Sequence, residues 1–428
     1  MGFNIGPVRL TELYRKKYDA FTENLGLAIS EGKKISFADN DITNLLKLQH
    51  ERIMNKGLSI DYEVTDKEEE DELDLGPMVL SDWKDAHYQN YVCLEEYDVK
   101  RTVKQDGKKQ YSDRRHNTLH TVITDVTSGI RADLEPCTCP NCGAVSTISR
   151  LVDGCPYCKT MYKMDDLFPR ITRYYFTEDA APKEREDTRL RGKVLLGGLI
   201  LGFIIGAILN LYSMNVYDDE YNLFEHFVVT IFGMLITYSA FCVLDVLNLI
   251  RRGIVNNAGK WGTAGTHGKF EHMMKAYSPE FSFDYFSGKA LSLIKTAVYS
   301  KDEQDLLFYK GPALDKRFKD IIDMNYGNAM KLISFTENNG SVTVAMDVFF
   351  DTLYAFDNKI KYKHEKYRAV FRRRVDIPLN LQFSMTRISC PKCSGSFNAV
   401  LNKNCPFCGT EYDIESQDWV LLELSQYN

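Results

Sequence analysis

Residues 139–158 read CPNCGAVSTISRLVDGCPYC, and residues 390–408 read CPKCSGSFNAVLNKNCPFC. Each stretch holds two Cys-Pro-x-Cys knuckles: Cys139/Cys142 with Cys155/Cys158, then Cys390/Cys393 with Cys405/Cys408. Two residues between paired thiolates let both sulfurs of a tight turn reach one ion, and two facing turns complete a closed tetrahedral S4 set. Such a set leaves no open coordination position, so it is expected to hold structure, with zinc as the metal and two ions per chain. A rubredoxin-like iron site is the competing reading of the same ligands. The likeness continues past the ligands, where Lys159-Thr160-Met161-Tyr162 lines up with Gly409-Thr410-Glu411-Tyr412. One unit is expected to occur twice.

Between the two copies lies a hydrophobic pair. Val194 to Tyr212 has Asn210 as its one strongly polar side chain, and Phe227 to Leu244 carries no charge. Each stretch is long enough to cross a hydrocarbon core of about 30 Å as a helix. The hairpin is expected over 194–250, with helices at 194–212 and 227–250. Lys183, Arg185, Arg189, Arg191 and Lys193 precede it and Arg251 and Arg252 follow, whereas Ser213 to Asn222 contains no Lys or Arg. This bias predicts a cell-membrane protein with two spans and both termini cytoplasmic. A reducing compartment also keeps thiols available to metal. Met1 to Leu10 lacks the pattern of a signal peptide, and Gly at position 6 breaks the myristoylation pattern, so insertion is expected to depend on the internal segments.

Within the first span Gly198, Gly202 and Gly206 recur every fourth residue, and the second span offers Gly233, Thr237 and Ala240. Small residues on one helix face admit a close backbone, so hairpin packing and homo-oligomerisation through that face are both open. Asp245 lies within reach of Arg252 and predicts an ion pair at the membrane edge.

Composition sets the remaining bounds. The chain has 428 residues, a net charge of −6 and 44% hydrophobic residues, enough for two or three cores and without a global basic field. Nucleic acid is therefore not an expected partner, although RNA is not excluded. Eight of the eleven cysteines fall into the knuckles. Cys93 and Cys137 are left over, and Cys242 reads as a small buried hydrophobe.

The flanking halves read as α+β. After the hairpin, 251–269 is expected to be a Gly-rich linker; its glycines do not match a phosphate loop, because Lys269 is followed by Phe270. Phe283, Phe286, Ala290, Leu293, Ile294 and Ala297 keep a helical period, and Leu314, Phe318, Ile321 and Ile322 predict a second helix. Strand alternation follows in Val342 to Phe350, in Tyr367 to Phe371 after an Asp357-Asn358 turn, in Leu379 to Met385, and after the ribbon in Trp419 to Leu424. The ribbon at about 388–413 is thus an insertion between strands. The first half repeats the order: helices near 8–30 and 40–55, a strand at Leu58 to Val64, an acidic loop at Asp66 to Asp74, a hairpin turning at Asp106-Gly107, and a ribbon at about 136–163. The expected boundaries are 1–177, a charged linker at 178–193, the hairpin, the linker at 251–269 and a second domain at 270–428.

Ser389-Cys390-Pro391-Lys392-Cys393 through Asp418-Trp419-Val420, preceded by helices and a curved sheet and anchored by a membrane hairpin, resembles bacterial zinc-ribbon proteins with a Tim-forty-four-like domain. The resemblance covers Phe270 to Leu424 and, through the internal duplication, Pro7 to Tyr175. It implies the nuclear-transport-factor-two-like fold, two cone-like helix-plus-antiparallel-sheet domains, and a membrane-tethered docking or transport-associated module with a protein or lipid partner. A cone that binds a small apolar ligand, or acts on one through His120, Asp347 or Asp351, is the alternative. An iron electron carrier is another.

Other candidate groups read as structural. Lys366, Arg368, Arg372 and Arg374 share one strand face, with Lys361, Lys363 and Arg373 nearby, and could meet anionic lipid heads or RNA phosphates; a solvated sheet face is the plainer reading. His116 and His120 share a strand face without a carboxylate at a defining spacing. No nucleophile elbow, metalloprotease helix or nucleotide fingerprint is present, so no catalytic or cofactor-binding residue is assigned and an enzyme is not expected.

Overall fold

The computed structural model describes residues 10–66, 77–84, 88–126, 136–162, 167–178, 184–217, 220–257, 264–356, 359–377, 388–393, 395–398 and 402–427. The chain is mixed α+β and divides into two compact units, one of 180–261 and one built from everything on either side of it.

The larger unit starts with α1 (Glu12–Glu31) and α2 (Asn40–Asn55). Tyr18, Phe21, Leu25, Ala28 and Ile29 recur at three- and four-residue spacing and are buried, and Gly32, at φ 65°, ends α1 in the left-handed region. Strands β1 (Leu58–Asp66), β2 (Met78–Lys84), β3 (Tyr88–Gln105) and β4 (Lys108–Val126) follow. Asp106 and Gly107 turn the β3–β4 hairpin with φ of 49° and 74°, as the sequence predicts. A small ribbon then carries β5 (Pro136–Thr138), β6 (Val145–Thr147) and α3 (Ile148–Asp153), and β7 (Arg170–Glu178) returns to the sheet beside β4.

The second half follows a similar element order, without counterparts of β2 and α3 among the described residues. Helices α6 (Ala264–Lys275) and α7 (Phe283–Tyr299) precede β8 (Ile321–Asn338), β9 (Ser341–Phe356) and β10 (Lys359–Arg374). A ribbon with β11 (Ile388–Ser389) and β12 (Ser396–Phe397) comes next, then β13 (Val420–Tyr427) beside β10. All the long strands belong to one sheet, in the order β1-β3-β4-β7-β8-β9-β10-β13, with β2 on the edge of β3. Residues 1–177 and 270–428, read from the sequence as successive domains, therefore share one sheet and form a single compact unit. The join is parallel, at Thr177 and Tyr326, whereas every other strand pair is antiparallel among the described residues. This parallel step reverses the second half, so the two ribbons leave the sheet at opposite strand ends.

Three segments differ from the sequence reading, the first being the charged linker expected at 178–193, which is helical from Glu184 onward. Leu314 to Ile322 is a 3₁₀ turn, Lys316–Asp320, followed at once by β8 rather than a helix. The register of β8 shifts three times against β9, and Asn328 sits at φ 55°, so the two-residue alternation that would announce a strand is broken. The described parts of the Gly-rich linker are helical: one helix runs to Asn257 and α6 begins at Ala264, where buried Phe270 and Met274 supply the apolar stripe. The strand expected at Leu379 to Met385 lies outside the described residues, as does most of the acidic run after Asp66.

The smaller unit is two helices, α4 (Glu184–Tyr217) and α5 (Leu223–Asn257). Gly192–Val216 and Leu223–Leu244 are long and apolar enough to cross a membrane. They pack as a hairpin on the glycine face. A Cβ on Gly202 would lie 2.5 Å from the Thr230 carbonyl oxygen, and one on Gly233 would lie 2.6 Å from the Gly202 Cα. Gly198 and Gly206 likewise face Met234 and the His226 carbonyl. The face proposed for a second copy is thus occupied by the chain's own second helix. Asn210 caps the return, accepting from Asn222 N–H at 2.8 Å. The side chain of Asp245 lies outside the described residues.

Candidate metal centres

Three of the four knuckles fold the same way among the described residues, because the backbone of each closes a short hydrogen-bonded turn. Gly143 N–H donates to the Cys139 carbonyl, Lys159 N–H to that of Cys155 and Gly409 N–H to that of Cys405, at 2.8–2.9 Å. The donating residue sits at positive φ: 72° for Gly143, 65° for Lys159 and 72° for Gly409. Glycine enters that region without steric cost, whereas Lys159 must be held there by its surroundings.

The turns bring the eight cysteines into two groups of four, each with all Sγ atoms within 4.8 Å of one another. Cys139 and Cys158 approach to 3.7 Å, as do Cys142 and Cys155, while Cys390/Cys408 and Cys393/Cys405 stand at 3.6 Å. A tetrahedron with metal–sulfur bonds of about 2.3 Å has sulfur–sulfur edges of about 3.8 Å. A disulfide would require about 2.05 Å. The residues therefore fit two S4 sites, and a bound ion would supply charge neutralisation and cross-linking of the two turns.

Local groups favour the thiolate at one cysteine of each group, whereas Cys142 and Cys393 are raised to about 12. The Thr160 hydroxyl, 3.4 Å from Cys158 Sγ, and the Thr160 backbone draw that thiol down to about 5. Thr410, 3.2 Å from Cys408 Sγ, draws its partner down to about 6. These are the matched Thr residues of the sequence alignment. Tyr162 adds a hydroxyl 3.4 Å from Cys139 Sγ. Cys137 is buried, bonds to the Thr138 carbonyl and stands outside the group of four, with its thiol pushed up by burial.

The ribbons differ in what they pack on. Cys139, Cys155, Ile148, Leu151, Leu167 and Phe168 form a small cluster of their own with Tyr88. Ile388, Cys390, Phe397, Cys405 and Ile414 instead belong to the main core, together with Phe286 and Trp419.

The other candidates are placed elsewhere. Arg368 and Lys366 pair with Asp347, Arg372 with Glu415 at 2.6 Å, and Arg374 with Asp376 at 2.5 Å, so the basic stripe is neutralised. His116 meets Asp98 at 2.7 Å, a cross-strand carboxylate invisible to local spacing. His120 stacks on Tyr175 at 4.6 Å and meets the Thr177 hydroxyl, and burial lowers it to about 4. It shares a crevice with Asp284 and Arg173, while Asp351 pairs with His364; His120, Asp347 and Asp351 do not converge.

Sequence reasoning missed a buried ionic seam between the halves. Lys289 of α7 lies between Asp418 and Asp41 of α2, the latter at 3.8 Å, and all three are at most 5% exposed. Arg101 of β3 bridges Asp113 at 2.5 Å and Asp323 of β8 at 2.7 Å. Arg52 donates to the Val298 and Ser300 carbonyls at 2.7 and 2.8 Å. The available signal was Lys289 itself, a charge on the apolar stripe of a helix. No family model, curated protein or solved structure matches the chain.

Proposed function

We propose that the chain is a membrane-anchored scaffold whose two zinc ribbons brace a folded unit presented at the cytoplasmic face to a protein or lipid partner. The observation that carries this reading is the pair of closed S4 groups, which offer a metal four ligands and leave no position for substrate. Zinc is favoured because a closed tetrahedral set of four thiolates is its characteristic structural site.

The sheet supports the expected topology. Residues before and after the hairpin pair with each other at Thr177 and Tyr326, which favours both flanks lying on one side of the bilayer. The charge bias of the flanks and the eight free thiols favour the cytoplasmic side. The recurring order of two helices, long strands, ribbon and a final strand, with β2 as an extra strand in the first half, supports a duplicated unit. It is consistent with the resemblance to Tim-forty-four-like domains with cone-shaped folds and a docking or transport-associated role.

Elemental analysis of the purified full chain tests the central claim, with two zinc ions per chain and no visible absorption expected. Iron–thiolate bands would favour the electron carrier, and metal-free protein with unchanged protease resistance would refute the bracing role. Impermeant maleimide labelling of intact cells should leave every knuckle cysteine unmodified.

A further inference from the structure

We propose that the second ribbon is a peroxide-sensitive switch: oxidation at Cys393 opens its S4 group, while the first ribbon's group is sealed against the same attack. This inference rests on the reading of both groups as zinc sites and names a regulation of one of them.

Matched positions differ in how they tie the two knuckles of each ribbon together. In the first ribbon Asn141 bridges them: its side-chain Nδ2 donates to the Thr160 hydroxyl at 2.9 Å, and its backbone N–H donates to the Tyr162 hydroxyl at 2.9 Å. That tyrosine hydroxyl lies 3.4 Å from Cys139 Sγ, and Lys34 donates from outside the ribbon to the Pro140 carbonyl. In the second ribbon the place of Asn141 is taken by Lys392, which is exposed and bonds to nothing among the described residues. Tyr412, the match of Tyr162, stands edge-on to Phe397 at 6.1 Å and brings no hydroxyl to a sulfur among the described residues. Exposure follows the same division. Cys393 is exposed, whereas Cys139 and Cys155 are buried and Cys142 and Cys158 half-buried.

A cysteine that ligates metal is deprotonated, and the susceptibility of a thiolate to oxidation follows its exposure. The Cys393 sulfur attacks the O–O bond of hydrogen peroxide, forming a sulfenic acid and expelling hydroxide. Cys405 Sγ, 3.6 Å away, then attacks the oxidised sulfur and expels the second hydroxide. One disulfide forms, two electrons pass from the thiolate pair to the peroxide, and two protons from solvent complete two waters. The disulfide withdraws two of the four ligands, and the metal is released. Coupling to the fold turns this release into a switch. Ile388, Cys390, Phe397, Cys405 and Ile414 pack in the main core with Trp419, whereas the first ribbon's cluster stands apart. The accessible site is thus the one whose loss loosens the second half.

The test treats the purified full chain, loaded with zinc in detergent micelles, with hydrogen peroxide in the presence of a chromogenic chelator, and maps the cysteines by differential alkylation and mass spectrometry. One ion per chain is expected to leave about tenfold faster than the other or more, since the outer hydrogen bonds of a metal site are worth about 10–100-fold. The early disulfide is expected to join Cys393 to Cys405. Asn141→Lys should bring release from the first site into the fast phase, and Lys392→Asn should slow the second. Reduction by dithiothreitol with added zinc should restore the amide protection of β10 and β13. Equal release from both ribbons, an early disulfide in the first ribbon, release without thiol oxidation, or damage that reduction does not reverse would each overturn the switch while leaving the zinc sites intact. A purified chain that takes up no metal would overturn both readings.

Discussion

Removing one ligand from each ribbon should have unequal consequences. In Cys405→Ser the second ribbon loses one of the four ligands it would offer a metal, and Ile388, Phe397 and Ile414, which sit in the main core, would lose the frame that holds them. Burying one such side chain stabilises by about 1.5–3 kcal/mol, so releasing three costs about 5–9 kcal/mol; this is an upper figure, because unfolded chains keep part of their contacts. Domains of this kind are stable by about 5–15 kcal/mol in total. Cys405→Ser should therefore bring the second half close to unfolding, with amides of β10 and β13 exchanging about a thousandfold faster or more. Cys155→Ser releases a cluster that stands apart from the main core, so β4 and β7 should keep most of their protection. Hydrogen exchange read by mass spectrometry on full-length protein distinguishes the two, and a strong chelator should reproduce both patterns in the parent chain. Equal loosening of the two halves by the two substitutions would refute the unequal coupling inferred from the core.

Three further outcomes follow from the packing. His120 is lowered by burial from 6.5 to about 4, so between those values the unfolded chain binds a proton that the folded one does not. Stability should fall as pH drops from 6.5 to 4, by up to about 3 kcal/mol, and denaturant titrations of His120→Gln should lose that part of the slope. Lys289→Met leaves Asp41 and Asp418 buried without their cation and should cost about 3–5 kcal/mol; adding Asp418→Asn should recover part of it, and no recovery would mean that the lysine acts through packing alone. Gly202→Leu should splay the helical hairpin, because the added Cβ meets backbone at 2.5 Å, whereas a Cβ at Gly197 meets nothing within 4 Å. Crosslinking between cysteines placed at 198 and 234 should collapse in the first variant and persist in the second.

The local devices were legible in the sequence because their chemistry is carried by neighbours in the chain. Knuckle spacing gave both S4 groups, two uncharged runs gave both long helices, and Asp106-Gly107 gave its turn. What stayed hidden depends on partners far along the chain. The alternation of β8 is interrupted where Asn328 adopts positive φ, so its apolar residues also satisfy a helical spacing near Phe318. The basic stripe of β10 was read as an open surface, but Asp347 and Glu415, which neutralise it, lie 21 residues before Arg368 and 43 residues after Arg372. The fusion of the halves into one sheet rests on Thr177 and Tyr326, a contact no periodicity announces.

The ionic seam explains why the halves form one unit rather than two tethered ones. If they separated, Lys289 would keep Asp418 but lose Asp41, and Arg101 would keep Asp113 but lose Asp323. Asp323 also accepts from Gln49 of α2 at 2.9 Å, so the first half supplies two of its donors. A buried charge stripped of its partner costs several kcal/mol, more than an apolar contact of similar area would forfeit, and the cost falls on both sides of the seam. The pairing is therefore selective as well as adhesive: each half is complementary to the other in charge as well as in shape. Because the hairpin is inserted between β7 and β8, the two strands that join the halves, the seam closes only after both helices of the hairpin have been made. Under the proposed topology, folding of the cytoplasmic unit is in this way made to wait on insertion of both spans.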